Sequence, residues 1–132
     1  ADWFGIRDVW CTEGTADCFA PKVVQATMGA LARIKLFRIA EDSPLWASIR
    51  GENIPVVGAF LEGNPLSQCR LPDIDAPSII VMGNEGNGIS AAIAQYVTET
   101  VTIPAGCPDL PHVESLNVAI ATAVILSRLV TP

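Results

Sequence analysis

The apolar and polar residues of this chain follow two different periods. Short apolar runs, some with a polar residue at every second position, predict β-strands, and stretches with apolar residues at helical spacing predict α-helices. The pattern predicts strands at 6–12, 33–39, 54–60, 78–82 and 100–103, and helices at 22–31, 45–50, 91–97 and 116–130.

The order of the predicted elements is β-α-β-α-β-β-α-β-α. Strands separated by helices are typical of an α/β fold, in which a mostly parallel sheet is flanked by helices. The segment 61–77, with its glycine, asparagine and proline residues, is expected to be mostly loop. A chain of 132 residues with 50% hydrophobic content is expected to form one domain, 1–132, with a core of its own.

The last predicted helix, 116–130, is apolar on nearly all sides. A helix without a polar face is usually buried on every side. In a chain of this size one sheet covers only one side of such a helix. Either a partner subunit or further residues of a longer chain must cover the other side, and a partner is the more economical explanation.

Charge and cysteine content narrow the choice of function. The net charge is −6, and seven of the eight Lys and Arg residues lie at or before Arg70. Because nucleic-acid binders usually carry a basic face, this domain alone is expected to bind RNA weakly. No apolar run is long enough for a membrane span, and no signal segment is seen. Four cysteines without a Cys-x-x-Cys pair, and one histidine, predict reduced thiols, no metal site and a cytoplasmic location.

Three segments near the C-terminus are candidates for a ligand site. A glycine-rich loop, 83–88, follows the strand 78–82; Ile103-Pro104 ends the next strand; and Ser115-Leu116-Asn117 opens the last helix. Ligands of α/β proteins bind at the carboxyl ends of strands, so we expect one small-molecule site here. The glycine order fits neither a phosphate loop nor the dinucleotide fingerprint.

Three polar side chains of these segments are candidates for chemistry. Glu85 lies between two glycines of this loop, where a carboxylate commonly contacts a cation or a hydroxyl; the alternative is a solvated turn residue. Ser115 suits the N-cap of the last helix. Asn117 opens an apolar helix, where an unpaired amide would be costly, so we expect it to form a hydrogen bond in the cavity between the loops.

Together, Ile80–Ser90, Ile103-Pro104 and Ser115–Ala121 resemble the second and third signature motifs of the SpoU (TrmH-like) group of SPOUT RNA methyltransferases. Phe19–Leu31 resembles the segment after the family's second strand. The resemblance implies an α/β fold with a deep C-terminal trefoil knot and S-adenosylmethionine as cofactor. It also implies methyl transfer to a ribose 2′-hydroxyl of tRNA or rRNA by a homodimer with the last helix in its interface.

The resemblance also implies roles for individual residues. Glu85, Ser115 and Asn117 match the polar positions that organise the family's catalytic pocket, and Lys22 matches a contact to substrate RNA. Gln25 stands where many relatives carry Arg. The residues that would bind the cofactor are Ala59, Phe60, Leu61, Gly83, Asn84, Glu85, Gly86, Ile103, Pro104 and Leu116.

The chain departs from the family pattern at its start. The first motif, with an Asn and an Arg proposed to act on the ribose hydroxyl, is missing, and the loop 105–114 is longer than usual. We therefore expect 1–132 to be an N-terminally incomplete catalytic domain that is inactive on its own. Two alternatives stay open: a non-catalytic module that binds S-adenosylmethionine or RNA, and an unrelated nucleotide-binding α/β domain.

Overall fold

The structure is a computed structural model that describes residues 1–73, 75–84, 86–107, 109 and 113–130. The chain forms two compact units, Ala1–Ser43 and Pro44–Pro132. Across both units the described elements follow the predicted order β-α-β-α-β-β-α-β-α. The strands are β1 (Asp8–Cys11), β2 (Lys35–Arg38), β3 (Val56–Pro65), β4 (Ile79–Val81) and β5 (Glu99–Thr102). The helices are α1 (Pro21–Ala26), α2 (Pro44–Gly51), α3 (Ala91–Ala94) and α4 (Val118–Val130).

In the first unit, β1 and β2 form a parallel pair. A short 3₁₀ turn, Asp2–Phe4, precedes β1 and ends at Gly5, whose φ of 79° is left-handed. That conformation favours glycine, so the turn stops where the sequence supplies one. The Asp2 carboxylate pairs with Arg7 at 2.5 Å and with Arg33 at 2.6 Å. The pair with Arg33 links the start of the unit to a residue 31 positions later in the sequence.

The ion pairs of Asp2 lead to a pH prediction. The hydrogen bond from Arg33, helped by the charges of Arg33 and Arg7, lowers the pKa of Asp2 below its ordinary value of 3.8. A carboxyl group whose pKa is lower in the folded chain adds stability above the unfolded pKa, and that stability is lost as the pH falls through the folded pKa. In Arg33→Gln, a carbon-detected NMR titration should show the pKa of Asp2 moving up toward 3.8. Arg70→Gln, a charge removal in the other unit, should leave it unchanged; an unmoved pKa in Arg33→Gln would contradict the assignment.

The second unit contains a three-stranded parallel sheet in the order β4-β3-β5. Its buried core consists of Val57, Leu66, Val101 and Ile125, of which Ile125 comes from α4. A second packing region joins α2 to the segment after α3. There the buried Trp46 stacks on Tyr96, with ring centroids 5.7 Å apart.

The central strand β3 is longer than the sequence predicted. It continues to Pro65, into the segment expected to be loop, because Asn64 and Pro65 pair with Val101 and Thr102 of β5. Residues that favour turns by themselves are held in extended backbone by this tertiary pairing. Propensity for strand is weak enough that such pairing overrides it.

Two helices differ from the prediction in their bounds and in how they are capped. Ser90 occupies the N-cap position of α3, but its side chain makes no capping hydrogen bond, and α3 ends at Ala94 rather than near Val97. The last helix begins at Val118, two residues later than predicted. Its N-cap is Asn117 rather than Ser115, because Asn117 Oδ1 accepts a hydrogen bond from the Ala119 N–H at 2.9 Å.

The described residues cover helix α4 on one side only. Ile125 and Leu126 are buried, whereas Ile120 and Val124 are exposed, as is Leu116 just before the helix. We call Leu116, Ile120 and Val124 the apolar stripe of α4; they are spaced four residues apart, so they share one face. None of the described helices is long and apolar enough to cross a membrane.

Candidate functional site

The carboxyl ends of β3, β4 and β5 lie at one edge of the sheet, because all three strands are parallel neighbours. Gly83 follows closely after β4, and Ile103 and Pro104 follow β5 directly. Ala59, Met82 and Ile103 all pack against the same buried core. The structure thus brings together three of the segments that the sequence predicted to bind a ligand, at the edge where α/β proteins hold ligands.

The central strand is broken at this edge. Ala59 and Asn64 both stand opposite Val101, so residues 60–63 fall outside the register with β5. The hydroxyl of Thr102 donates to the Leu61 carbonyl at 2.9 Å and ties this bulge to the end of β5. Bulges are common beside active sites because they turn backbone groups away from the ladder. A ligand bound here could use the backbone of 60–63.

Two residues that support the bulge, Gly58 and Thr102, were not singled out by the sequence analysis. A Cβ atom on Gly58 would lie 2.7 Å from Phe60 Cε2 and 3.0 Å from a methyl group of Val97, so the Phe60 ring packs over the bare backbone of Gly58. A glycine inside an apolar strand is a known sign of close approach, and it was the available signal for Gly58.

The glycine-rich loop is a self-bonded turn. Asn84 and Gly88 exchange two backbone hydrogen bonds of 3.1 Å each. The side-chain oxygen Oδ1 of Asn84 also accepts the N–H of Gly86 at 3.0 Å and that of Asn87 at 2.6 Å. Asn84 therefore shapes the loop through its side chain, and the predicted contact to cofactor stays a prediction. Glu85 lies outside the described residues.

Gly83 is required by the loop itself. A Cβ atom there would lie 2.5 Å from the carbonyl carbon of Gly88 and 2.8 Å from the nitrogen of Ile89, both backbone atoms that cannot rotate away. At Gly86 the nearest atom would be Asn84 Oδ1, at 3.8 Å. The two glycines, both predicted to line the cofactor pocket, therefore have different steric demands.

The remaining predicted segment, Ser115-Leu116-Asn117 before α4, is exposed. Asn117 is held by its capping bond to Ala119, so part of the hydrogen-bonding capacity that the sequence assigned to a cavity serves the helix. Lys22, the predicted RNA contact, is an exposed residue of α1 in the first unit.

The surroundings of the Cys69 thiol disfavour its thiolate form. Cys69 packs against the buried core, and its Sγ donates to the Pro65 carbonyl at 3.3 Å. Burial, followed by the charge of Glu99, raises the pKa of the Cys69 thiol. A thiol with a raised pKa stays protonated at neutral pH and is a poor nucleophile.

The chain is similar to known proteins over almost its whole length. The sequence model of the SpoU rRNA Methylase family matches residues 1–127. The 23S rRNA (guanosine(2553)-2′-O)-methyltransferase RlmP of Bacillus subtilis is 30% identical over 131 residues, which are 98% of this chain and 49% of that protein.

Two solved structures are similar throughout the chain. One, described as that of a TrmH-family RNA methyltransferase from Porphyromonas gingivalis, has a TM-score of 0.84 and 49% identity over 97% of this chain and 50% of that chain. The SpoU methyltransferase AviRb of Streptomyces viridochromogenes, in complex with AdoMet, has a TM-score of 0.77 and 28% identity over 98% of this chain and 51% of that chain. The chain spans about half the length of the curated relatives it matches.

Proposed function

Because this chain belongs to the SpoU rRNA Methylase family, we propose that its protein transfers the methyl group of S-adenosylmethionine to a ribose 2′-hydroxyl of tRNA or rRNA. The α/β fold of the family ends in the deep trefoil knot that the sequence resemblance implied. The observation that carries the proposal is the broken end of β3 between β4 and β5. This break supplies backbone groups at the edge of the sheet, beside the glycine-rich loop 83–88 and Ile103-Pro104, which belong to the family motifs.

The described residues fit such a cofactor. An adenosine is large, flat and largely apolar, and it can be bound through backbone groups where small residues allow close approach. The bulge 60–63 offers backbone groups outside the β5 ladder, and Leu61 is an exposed apolar residue within it. We propose that the cofactor is held by Ala59, Phe60, Leu61, Gly83, Asn84, Glu85, Gly86, Ile103, Pro104 and Leu116.

Besides binding the cofactor, the protein has to position the ribose hydroxyl for the reaction. The bound methyl donor supplies a methyl group on a positively charged sulfur, already activated for in-line attack. The chain must hold the ribose hydroxyl in line and assist removal of its proton, and such positioning contributes a large part of catalysis. We propose that Asn117 and Ser115 orient the hydroxyl, with Glu85 at the same site. Lys22 is proposed to neutralise RNA phosphate, in a domain whose net charge of −6 otherwise repels it.

The proposal is tested with the full-length protein. It is incubated with methyl-labelled S-adenosylmethionine and with tRNA and rRNA that lack 2′-O-methylation, and the RNA is digested to nucleosides for mass spectrometry. We expect label in 2′-O-methylnucleosides of one RNA class. Binding of the cofactor without transfer would favour the non-catalytic module, and preference for ATP or NAD would favour an unrelated nucleotide-binding domain.

We further propose that the protein is a homodimer with the apolar stripe of α4 in its interface. The stripe, Leu116, Ile120 and Val124, is exposed in the single chain and contains no charged residue. Exposed apolar faces of this kind mark protein–protein contacts in soluble domains.

All four cysteines are free thiols, which agrees with the proposed cytoplasmic location.

The dimer leads to a mutational prediction. In Val124→Asp an unpaired carboxylate would enter the interface, at a cost of about 3–5 kcal/mol, so the dimer dissociation constant should rise by at least about 100-fold. Sedimentation velocity of the full-length protein measures this. Ala47→Asp adds the same charge on an exposed position of α2 and should leave the dimer intact. A wild-type monomer at micromolar concentration would refute the interface.

A further inference from the structure

Two thiols of the first unit lie in contact. Cys11 ends β1 and is buried, and Cys18 is half-buried in the loop that leads to α1. Their Sγ atoms are 3.4 Å apart. A disulfide bond needs about 2.05 Å between sulfurs, so an approach of about 1.4 Å would join them.

The segment between the two cysteines can supply this movement. Residues 12–17 are without helix or strand, and all but Thr12 are exposed. Gly14 adopts a left-handed φ of 83°, and a Cβ atom added there would have no neighbouring atom within 4 Å, so the middle of this turn is open. The loop closed by a bond between Cys11 and Cys18 would be short and local, so forming it would not require the strands to move.

The surroundings do not favour a metal site at this pair. In the part of the chain that the structure describes, no group of three or more His, Cys, Asp or Glu side chains could hold an ion. The other two cysteines, Cys69 and Cys107, belong to the second unit. Two thiols in contact with no further ligand are better suited to forming a bond with each other.

We propose that Cys11 and Cys18 form a reversible dithiol–disulfide site that reacts with small-molecule disulfides of the glutathione type. Cys18, the more exposed sulfur, attacks one sulfur of glutathione disulfide as the thiolate and releases one glutathione thiolate. Cys11 then loses its proton to solvent and attacks Cys18 Sγ, which breaks the mixed disulfide and releases the second glutathione. The protein is oxidised by two electrons, and glutathione disulfide is reduced to two thiols.

The order of the two steps follows from the surroundings of the sulfurs. Burial, and then the hydrogen bond with Cys18, raises the pKa of the Cys11 thiol to about 11. Such a thiol reacts poorly with a bulky reagent in solution and is protected by its position at the end of β1. It becomes effective only when its target sulfur is held beside it, which the contact with Cys18 provides. Disulfides of this kind in reducing compartments are usually transient sensors rather than structural bonds.

Peptide mapping of the full-length protein tests the site. Trypsin releases Asp8–Lys22, which contains both cysteines, and cleavage after Glu13 then separates them. After exposure of the native protein to glutathione disulfide and alkylation of free thiols, this peptide should carry no alkyl group and be lighter by two hydrogens. Cleavage at Glu13 should leave its halves joined. Dithiothreitol should restore both alkylation sites.

Three variants sharpen the result. Cys11→Ser should stop at the Cys18–glutathione mixed disulfide, Cys18→Ser should lose the reaction at this peptide, and Cys107→Ser should react as the wild type does. The proposal is overturned by any of three results for the native wild type: both cysteines are still free and become alkylated after exposure to glutathione disulfide, glutathione stays on Cys18 without transfer, or the Cys11–Cys18 bond forms only in denaturant. The wild-type measurement decides the matter even if a variant fails to fold.

Discussion

Replacing Gly83 by valine should weaken S-adenosylmethionine binding by about 10- to 100-fold or more. Even the first atom of a side chain at this position would lie 2.5 Å from the Gly88 backbone. The loop 83–88 is closed by its own hydrogen bonds, so it must open or shift as a whole. Overpacking of this kind costs about 1–3 kcal/mol, which corresponds to the stated loss if the shift displaces the loop from its ligand-binding form.

The controls separate a displaced loop from a damaged fold. Gly86→Ala lies in the same loop with its nearest neighbour at 3.8 Å, and Gly51→Ala has no atom within 4 Å. Both should keep the thermal unfolding midpoint, and Gly51→Ala should also keep the affinity measured by calorimetry on the full-length protein. Undiminished binding in Gly83→Val would locate the cofactor site elsewhere in the protein.

Hydrophobic patterning was sufficient for the order of the elements. All nine predicted helices and strands are present in the described residues, in the predicted sequence of types. Apolar stretches such as 116–130 and 54–60 carried this information, because their lengths favour a helix and a strand respectively. The parallel direction of the strands was expected from the alternation of strands and helices rather than from any single residue.

Patterning failed where distant parts of the chain decide the local structure. Asn64 and Pro65 look like turn residues, yet they extend β3 because β5 pairs with them. The break that precedes them, which turns 60–63 away from the sheet, is visible only once Ala59 and Asn64 are both seen opposite Val101. The feature that best explains the candidate site was therefore hidden from local reasoning.

Capping chemistry was correct in kind and displaced in position. Ser115 and Asn117 are both good N-cap residues, and sequence alone favoured the first. In the structure Asn117 takes the position, since its Oδ1 reaches the Ala119 N–H and its carbonyl accepts from Ala121. Ser90 shows the converse case: it stands at the start of α3 without a side-chain bond to it. Residue type limited the candidates, and backbone geometry selected among them.

The cap at Asn117 also sharpens its proposed catalytic role. The amide has two ends, and the helix uses the oxygen. The nitrogen is the hydrogen-bond donor of the amide, and we propose that it donates to a ribose oxygen or to the cofactor during the reaction. A substitution that keeps the cap and removes the N–H donor therefore distinguishes a purely structural residue from one that acts on the substrate.

We expect Asn117→Ala, Asn117→Ser and Asn117→Asp to lower the rate of methyl transfer by about 100-fold or more, the usual effect of removing one positioned donor. Only Asn117→Ala should also lower the free energy of unfolding, by about 1 kcal/mol, because Ser and Asp are N-cap residues as good as Asn. Rates are measured with the full-length protein at saturating cofactor, and cofactor affinity is measured separately. If Ser and Asp keep activity within a few-fold while Ala does not, Asn117 serves only to start α4. A loss shared by all three variants, with unfolding energies preserved in two of them, would assign the amide N–H to the reaction itself.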